Sequence, residues 1–181
     1  MRLPELRTGR LLLRPVVPED LPVITRLIGD YDVAKMLARV PHPYSLEDAR
    51  YWYGLNAACK EDGERAFAID AGGGLIGVIS VGSPAEAPEF GYWLATDQWG
   101  QGFMTEAGRA ILAWLFETTQ TLRVMSGALK ENTASINVLK KLGFQDEGPY
   151  LLPIRSRNAE LPGARVMLRR ERFLAAAGTG S

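Results

Sequence analysis

The chain has 181 residues, of which 46% are hydrophobic, so it is long and apolar enough for one domain with a buried core and does not resemble a disordered segment. Basic and acidic side chains are equal in number at 21 each, and the resulting formal net charge of zero argues against a nucleic acid as the main partner. The single cysteine, Cys59, excludes an intrachain disulfide, and with only one histidine, His42, a structural zinc site is excluded as well, so we expect no metal.

The first elements form a strand followed by two helices. Residues 10–16 are predicted to form the strand, and Pro18-Glu19-Asp20 is typical of a helix start, because acidic residues suit the positive end of the helix dipole. The helical stripe that follows consists of Leu21, Ile24, Leu27 and Ile28. Ser45 and Asp48 resemble a capping box for the second helix.

Three short apolar segments come next, separated by turns. Residues 66–70 and 75–82 are predicted to be strands of one hairpin, since three glycines at 72–74 lie between them. Residues 89–94 are predicted to form a further strand after a turn at 83–88.

A glycine-rich stretch over residues 99–107, Trp-Gly-Gln-Gly-Phe-Met-Thr-Glu-Ala, then joins this strand to a predicted helix over 104–116. The apolar face of that helix is formed by Ala107, Ala110, Ile111, Trp114 and Leu115. The first turn of a helix has unpaired N–H groups, and glycines leave them accessible, so residues 100–105 are predicted to bind a phosphate or pyrophosphate. The alternative is a plain strand-to-helix turn, and the pattern is neither a Walker loop nor the dinucleotide fingerprint.

The last third of the chain alternates strands and one short helix. Residues 122–129, 144–147 and 164–170 are predicted strands, residues 134–142 a helix, and Gly143 its C-terminal cap. Residues 1–174 are predicted to form one domain and residues 175–181 a flexible tail. The element order predicts a mixed α/β sheet with helices on both faces, in which residues 89–129 make a right-handed crossover between parallel strands.

Two separated motifs occur in the order of a known family: the glycine loop, and residues 132–144, Asn-Thr-Ala-Ser-Ile-Asn-Val-Leu-Lys-Lys-Leu-Gly-Phe. This pairing resembles the GNAT acetyltransferase superfamily. Residues 11–15, 43–49 and 89–94 are also similar to its ribosomal-protein N-terminal (Rim-type) branch, and the resemblance spans about residues 7–173. It implies a single α/β domain with a mixed, mostly antiparallel sheet of about seven strands, helices on both faces, and acetyl-CoA as cosubstrate.

The resemblance also implies which residues hold the coenzyme. Trp99 and Met104 depart from the commonest form of the family's loop, but backbone amides are expected to bind the pyrophosphate, from Gly100, Gln101, Gly102, Phe103, Met104 and Thr105. The preceding strand splays from its neighbour in this family, so Leu94 and Ala95 are expected to pair with the pantetheine amides, and one of their amides to stabilise the oxyanion. Asn132 matches the family's coenzyme-binding asparagine.

Two residues are candidates for the proton transfers. Many relatives have a tyrosine that protonates the leaving thiolate, and here that position is Leu139, so the resemblance to Rim-type enzymes nominates Ser135, one helical turn earlier. The alternative for Ser135 is a local hydrogen bond to the helix backbone. Glu89 is the candidate base that accepts a proton from the attacking amine, and the alternative is a solvated turn residue.

The expected acceptor is a primary amine, with the Rim-type branch implying a protein N-terminal α-amine. The alternatives are a small amine, such as an antibiotic, polyamine or amino acid, or a non-catalytic acyl-CoA-binding module. Residues 28–45 and 150–162 are predicted acceptor loops. No nucleic-acid or membrane partner is expected, a homodimer is common in the family, and the lack of a signal peptide or long apolar run predicts a cytoplasmic location.

Overall fold

Antiparallel strand pairs account for most of the sheet structure in the computed structural model, which describes residues 3–56, 63–82 and 87–178. The strands in these ranges are Leu6–Arg7 (β1), Leu12–Pro15 (β2), Arg65–Asp70 (β3), Leu75–Val81 (β4), Phe90–Leu94 (β5), Arg123–Leu129 (β6), Gln145–Ile154 (β7) and Ala159–Arg169 (β8). The helices are Leu21–Ile28 (α1), Tyr31–Ala34 (α2), Leu46–Asn56 (α3), Phe103–Thr118 (α4), Thr133–Lys141 (α5) and Arg170–Gly178 (α6).

The strands form two antiparallel sheets that meet at β5 and β6. The first has the order β1-β2-β3-β4-β5 and the second the order β6-β8-β7. A single parallel bridge, Glu89 with Met125, joins them, with a 2.9 Å hydrogen bond from the Met125 N–H to the Pro88 C=O. Beyond it the hydroxyl of Ser126 donates to the Phe90 C=O at 2.8 Å, and no further bridge between β5 and β6 is present in the described part of the chain. The predicted parallel relation and the splay of the two strands are therefore both present.

Helices cover both faces of the first sheet, as predicted. On one face α4 packs its apolar stripe against the strands, and this core is built from residues such as Leu13, Phe67, Ile79, Phe90, Ile111 and Leu115. On the other face α1 and α3, through residues such as Ile24 and Ala49, pack against the strand residues Ala66, Ala68 and Val78. The alternation along β5 therefore directs Phe90, Tyr92 and Leu94 to the α4 face, and Trp93 to the opposite face.

Several local signals are confirmed. The β3–β4 hairpin turns through residues 71–74, where Asp70 Oδ1 accepts the N–H groups of Gly72 at 2.8 Å and Gly74 at 3.1 Å. The capping box of α3 is formed, since Ser45 Oγ accepts the Asp48 N–H at 3.1 Å and Asp48 accepts the Ser45 N–H at 2.9 Å. Gly143 has a φ of 94°, which suits glycine at the end of α5.

Two expectations need correction. Residues 150–162 are not a loop: β7 runs to Ile154 and β8 starts at Ala159, so they form most of a hairpin. β7 is an edge strand, and such a strand tolerates the prolines at 149 and 153. Helix α6 extends to Gly178, so residues 175–178 are helical and exposed, whereas the tail positions 179–181 and Cys59 lie outside the described residues. The expected mixed, mostly antiparallel α/β fold with helices on both faces is confirmed, and among the described residues its strands number eight, in two sheets.

No helix among the described residues is both long and apolar enough to cross a bilayer.

An ion pair fixes the start of α1 against β2. Arg14 donates to both carboxylate oxygens of Asp20, at 2.7 and 2.8 Å, and the Val17 N–H donates to the same carboxylate at 2.9 Å. Asp20 is 7% exposed. Burial acts to raise the pKa of Asp20, but the hydrogen bonds from Arg14 and Val17 outweigh it, so the pKa lies below the ordinary aspartate value.

We expect Asp20→Asn to lower the free energy of unfolding at neutral pH by about 3 kcal/mol, because the substitution leaves Arg14 without its charged partner. A lowered native pKa stabilises the fold above the unfolded-state pKa of about 3.9, and this contribution is lost as the pH falls through the native value. Thermal unfolding from neutral pH into the acid range should therefore show the two proteins converging at low pH. Glu19→Gln, a change at the exposed neighbour, is the control, and a pH-independent difference for Asp20→Asn would contradict the assignment.

Candidate functional site

The glycine loop between β5 and α4 has the backbone shape that an anion site needs. Gly100 has a φ of 73° and Gly102 a φ of 80°, in the left-handed region that favours glycine. Gly102 is the N-cap of α4 and provides no side-chain cap, so the first N–H groups of the helix are not capped by the residue before it. A Cβ at Gly100 would meet no atom within 4 Å and would project into open space at the cleft. The main chain can therefore approach an anionic group at the positive end of the helix dipole.

A cluster from the β1–β2 turn supports this loop, and nothing in the sequence pattern pointed to it. Glu106, in the first turn of α4, accepts the Thr8 hydroxyl at 2.6 Å, the Arg10 N–H at 2.9 Å and Arg10 Nε at 2.7 Å. Burial acts to raise the pKa of Glu106, and the hydrogen bonds from Thr8 and Arg10 outweigh it, so the pKa lies below its ordinary value. Arg10 Nη1 also donates to the Gln101 C=O at 2.9 Å, and the guanidinium lies 4.5 Å from the centre of the Phe103 ring. A positive charge is thus held beside the loop.

Leu94 and Ala95, at the end of β5, were both expected to contact the pantetheine, but their main-chain groups point in different directions. The Ala95 N–H donates to the Ile76 C=O at 2.9 Å, and the Ala95 C=O accepts the Gln98 N–H at 3.0 Å, so both groups are engaged within the protein. In an antiparallel ladder the main-chain N–H and C=O groups of neighbouring residues point to opposite sides of the strand. Those of Ala95 point toward β4, so those of Leu94 point away from it. The Leu94 C=O accepts Nε1 of Trp99 at 2.9 Å, and its N–H faces the gap between the sheets. Of the pair, Leu94 alone presents a main-chain donor there.

A cleft of about 1690 Å³ lies in and around this gap. The predicted site residues that line it are Glu89, Leu94, Gly100, Gly102, Phe103, Met104, Thr105, Asn132 and Ser135. Ala95 and Gln101 are not among its lining residues, and the side chain of Gln101 instead donates to the Asp97 C=O at 3.2 Å. The structure therefore brings the glycine loop and the start of α5 to one cavity, although they are about thirty residues apart in the sequence.

Ser135 lies in the first turn of α5, where Asn132 is the N-cap. Asn132 Oδ1 accepts the Ser135 N–H at 3.1 Å, so the Asn132 side chain caps this end of the helix. The Ser135 hydroxyl lies 2.8 Å from the hydroxyl of Tyr92, on β5. Burial raises the pKa of Tyr92 to about 12, against a smaller lowering by the hydrogen bond to Ser135. Leu139 is 2% exposed and packs in the core, so its side chain takes no part in the cleft.

Glu89 is exposed at the cleft and is paired with a cation from the second sheet. Arg165 Nη1 donates to Glu89 Oε1 at 3.0 Å, and the same guanidinium lies 5.6 Å from the centre of the Tyr150 ring. A second carboxylate that sequence reasoning missed, Glu64, also lines the cleft and accepts the Ser80 hydroxyl. In the part of the chain that the structure describes, no group of three or more His, Cys, Asp and Glu residues is arranged to hold a metal ion.

Comparison with known proteins gives the same family along most of the chain. A family model described as Acetyltransferase (GNAT) domain matches residues 10–145. The p20 protein of Bacillus licheniformis, named an uncharacterized N-acetyltransferase, is 29% identical over 148 residues, which cover 79% of this chain and 83% of that protein.

Solved structures share the fold at lower identity. A ribosomal-protein-S5-alanine acetyltransferase from Vibrio fischeri superposes with a TM-score of 0.80 at 20% identity, covering 94% of this chain and 99% of that one. A spermidine N-acetyltransferase from Vibrio cholerae, in complex with CoA and spermine, gives a TM-score of 0.79 at 20% identity and covers 92% and 99%. The two structures differ in the acceptor that their names give.

We expect Gly100→Ala to weaken the binding of free CoA at least tenfold, because the added methyl group projects into the cleft at the anion site. Gly72→Ala is a matched control: Gly72 has a φ of 92° and open space around it, but it lies in the β3–β4 hairpin. Both changes force a left-handed conformation and should cost about 1–2 kcal/mol of stability. Calorimetric titration with CoA and thermal melting separate the two effects, and equal losses of CoA affinity in both variants would contradict the site.

Proposed function

Because the chain belongs to the GNAT acetyltransferase family and is an N-acetyltransferase, we propose that its donor is acetyl-CoA and that its acceptor is the α-amine at a protein N-terminus. The thioester supplies an activated acetyl group, so the protein's part is to bind, orient and move protons. The proposed class of acceptor rests on the charge of the side chains that line the cleft. Its described lining contains four acidic side chains, Asp48, Glu64, Glu89 and Glu160, and four basic ones, Arg39, Lys141, Arg155 and Arg165.

The residues present fit the coenzyme. Main-chain N–H groups between Gly100 and Thr105 hold the pyrophosphate at the start of α4, and Arg10, which is paired with Glu106, fixes the loop from beside them. The Leu94 N–H pairs with an amide of the pantetheine arm, whereas Ala95 is not used, since its own groups are paired. Gln101 takes part through its main chain only. Asn132 contacts the coenzyme with its side-chain N–H₂, because its Oδ1 already accepts the Ser135 N–H.

Glu89 accepts a proton from the attacking amine, directly or through water. The Arg165 ion pair engages one carboxylate oxygen, Oε1, and orients the group at the cleft wall. Ser135, on the opposite side of the gap in the first turn of α5, donates a hydrogen bond to the sulfur of the leaving thiolate. Glu89 thus takes the proton that the amine loses, and the hydrogen bond from Ser135 stabilises the thiolate until a proton from solvent converts it to the free thiol.

A protein N-terminus fits the mixed charge of the cleft better than a polyamine does. A polyamine carries several positive charges, and a site for it gains from a net negative lining. Here the part of the cleft contributed by the predicted acceptor segments has two cations, Arg39 and Arg155, against one carboxylate, Glu160, so it has no net negative charge to attract a polycation. A peptide end carries one amine to Glu89. Its backbone and side chains can contact both the acidic and the basic residues of the cleft.

We expect the protein to release free thiol from acetyl-CoA in the presence of peptides with a free N-terminus, and to be inactive with the same peptides acetylated at that end. Spermidine and single amino acids are the comparison acceptors in the same thiol-release assay, and mass spectrometry locates the added acetyl group. A higher kcat/KM with spermidine than with the peptides would show that the acceptor is a polyamine and would contradict the proposal. No thiol release with any amine, together with tight CoA binding, would favour a non-catalytic acyl-CoA-binding module.

We expect Glu89→Gln to lower kcat about 100-fold, the lower end of the range for a lost general base, with CoA affinity unchanged. Glu64→Gln tests the second carboxylate of the cleft in the same way, and Glu171→Gln, at an exposed position of α6, is the control. Steady-state rates with the best acceptor of the screen give the comparison. If Glu64→Gln shows the loss and Glu89→Gln does not, the base is Glu64.

A further inference from the structure

Tyr92 contacts Ser135 from the neighbouring strand and is held in place by packing. Its ring is edge-on to Phe90, with centroids 5.4 Å apart and planes at 62°, and Phe90 in turn stacks on Phe144 at 5.7 Å. The Tyr92 hydroxyl lies 2.8 Å from Ser135 Oγ and 3.2 Å from the Ser135 C=O. The phenol oxygen is therefore fixed beside the hydroxyl that faces the candidate site.

The direction of this hydrogen bond decides whether Ser135 can act. A hydroxyl has one proton and two lone pairs. If Ser135 donates to Tyr92, its only proton is used inside the protein, and Tyr92 donates to the C=O at the longer distance. If Tyr92 donates to Ser135 Oγ, the serine proton is free for a group in the cleft.

The second direction is favoured when an anionic sulfur lies in the cleft. Both hydrogen bonds then point the same way, from Tyr92 to Ser135 and from Ser135 to the sulfur, and such chains polarise one another. Because burial raises the pKa of Tyr92 to about 12, the phenol keeps its proton at neutral pH and remains a donor.

We propose that Tyr92 is a positioning residue that directs the Ser135 hydroxyl proton into the cleft, toward the sulfur of the departing coenzyme. This inference rests on the proposed function. Tyr92 donates a hydrogen bond to Ser135 Oγ and keeps its proton, while Ser135 donates to the sulfur. Tyr92 is neither the base nor the acyl donor. It sets the direction in which the Ser135 hydroxyl donates, in a chain that has Leu139 where the family resemblance implies a tyrosine in many relatives.

Tyr92→Phe removes the hydroxyl and keeps the ring that packs on Phe90. We expect kcat to fall about tenfold, the loss expected for one hydrogen bond, with KM for acetyl-CoA within about twofold. Ser135→Ala should lower kcat at least as much. The double variant should lower kcat no more than Ser135→Ala alone, because the two hydroxyl groups act together. Tyr53→Phe, which removes a phenol hydroxyl on the α1–α3 face outside the cleft lining, is the matched control.

A second measurement does not depend on turnover. Ultraviolet absorbance of the thiolate gives the pKa of the CoA thiol bound to the protein. A hydrogen bond from Ser135 stabilises the thiolate, so we expect the thiol pKa to be lower in the wild type than in Ser135→Ala, with Tyr92→Phe shifted toward Ser135→Ala and Tyr53→Phe unchanged.

The outcomes separate the two proposals. If the wild type acetylates no amine, the proposed function fails, and the thiol titration still decides the role of Tyr92. If the wild type is active but Tyr92→Phe has normal kcat, or its effect adds fully to that of Ser135→Ala, or the bound thiol titrates as in the wild type, the positioning role is overturned. Equal melting temperatures for Tyr92→Phe and Tyr53→Phe exclude a mere loss of packing as the cause.

Discussion

The structure depends on the point at which β5 stops pairing with β6. One bridge at Glu89 and Met125 joins the two sheets, and beyond it the main-chain groups of Leu94 face a cleft instead of another strand. Backbone donors and acceptors in a protein interior need partners. The Trp99 indole satisfies the Leu94 C=O, and the Leu94 N–H faces the gap between the sheets. The glycine loop, α4 and α5 are arranged around that incomplete edge.

The two helices that begin at the cleft have different N-termini. In α5 the side chain of Asn132 accepts the Ser135 N–H, so this end is partly satisfied by the protein itself. In α4 the cap is Gly102, which has no side chain to do the same, and Arg10 lies beside it. A negatively charged ligand therefore gains more at α4, and the first turn of α5 is left to present a hydroxyl.

The sequence allowed much of the fold to be predicted, because the features concerned are local. The apolar stripe of α4 and the glycines of the β3–β4 hairpin are each encoded within a few residues, and the family follows from motifs in a fixed order, as the GNAT model match over residues 10–145 confirms. The contacts of Tyr92 with Ser135, and the use of the Ala95 N–H by Ile76, depend on strand register and on how two layers approach. Periodicity carries no information on either. Residues 150–162 were expected to be a loop, and the pairing of β7 with β8 that replaces it depends on a neighbouring strand that the sequence does not reveal.

The cluster of Thr8, Arg10 and Glu106 has a consequence for folding. It joins the first hairpin of the chain to the start of α4, across 96 or more positions. The shape of the anion loop is therefore a long-range property, completed when distant segments have docked, and a fragment that holds the glycine motif alone lacks it. Since a ligand that binds only the native state shifts the folding equilibrium by mass action, an anion bound at this loop would stabilise the docked amino-terminal strands as well.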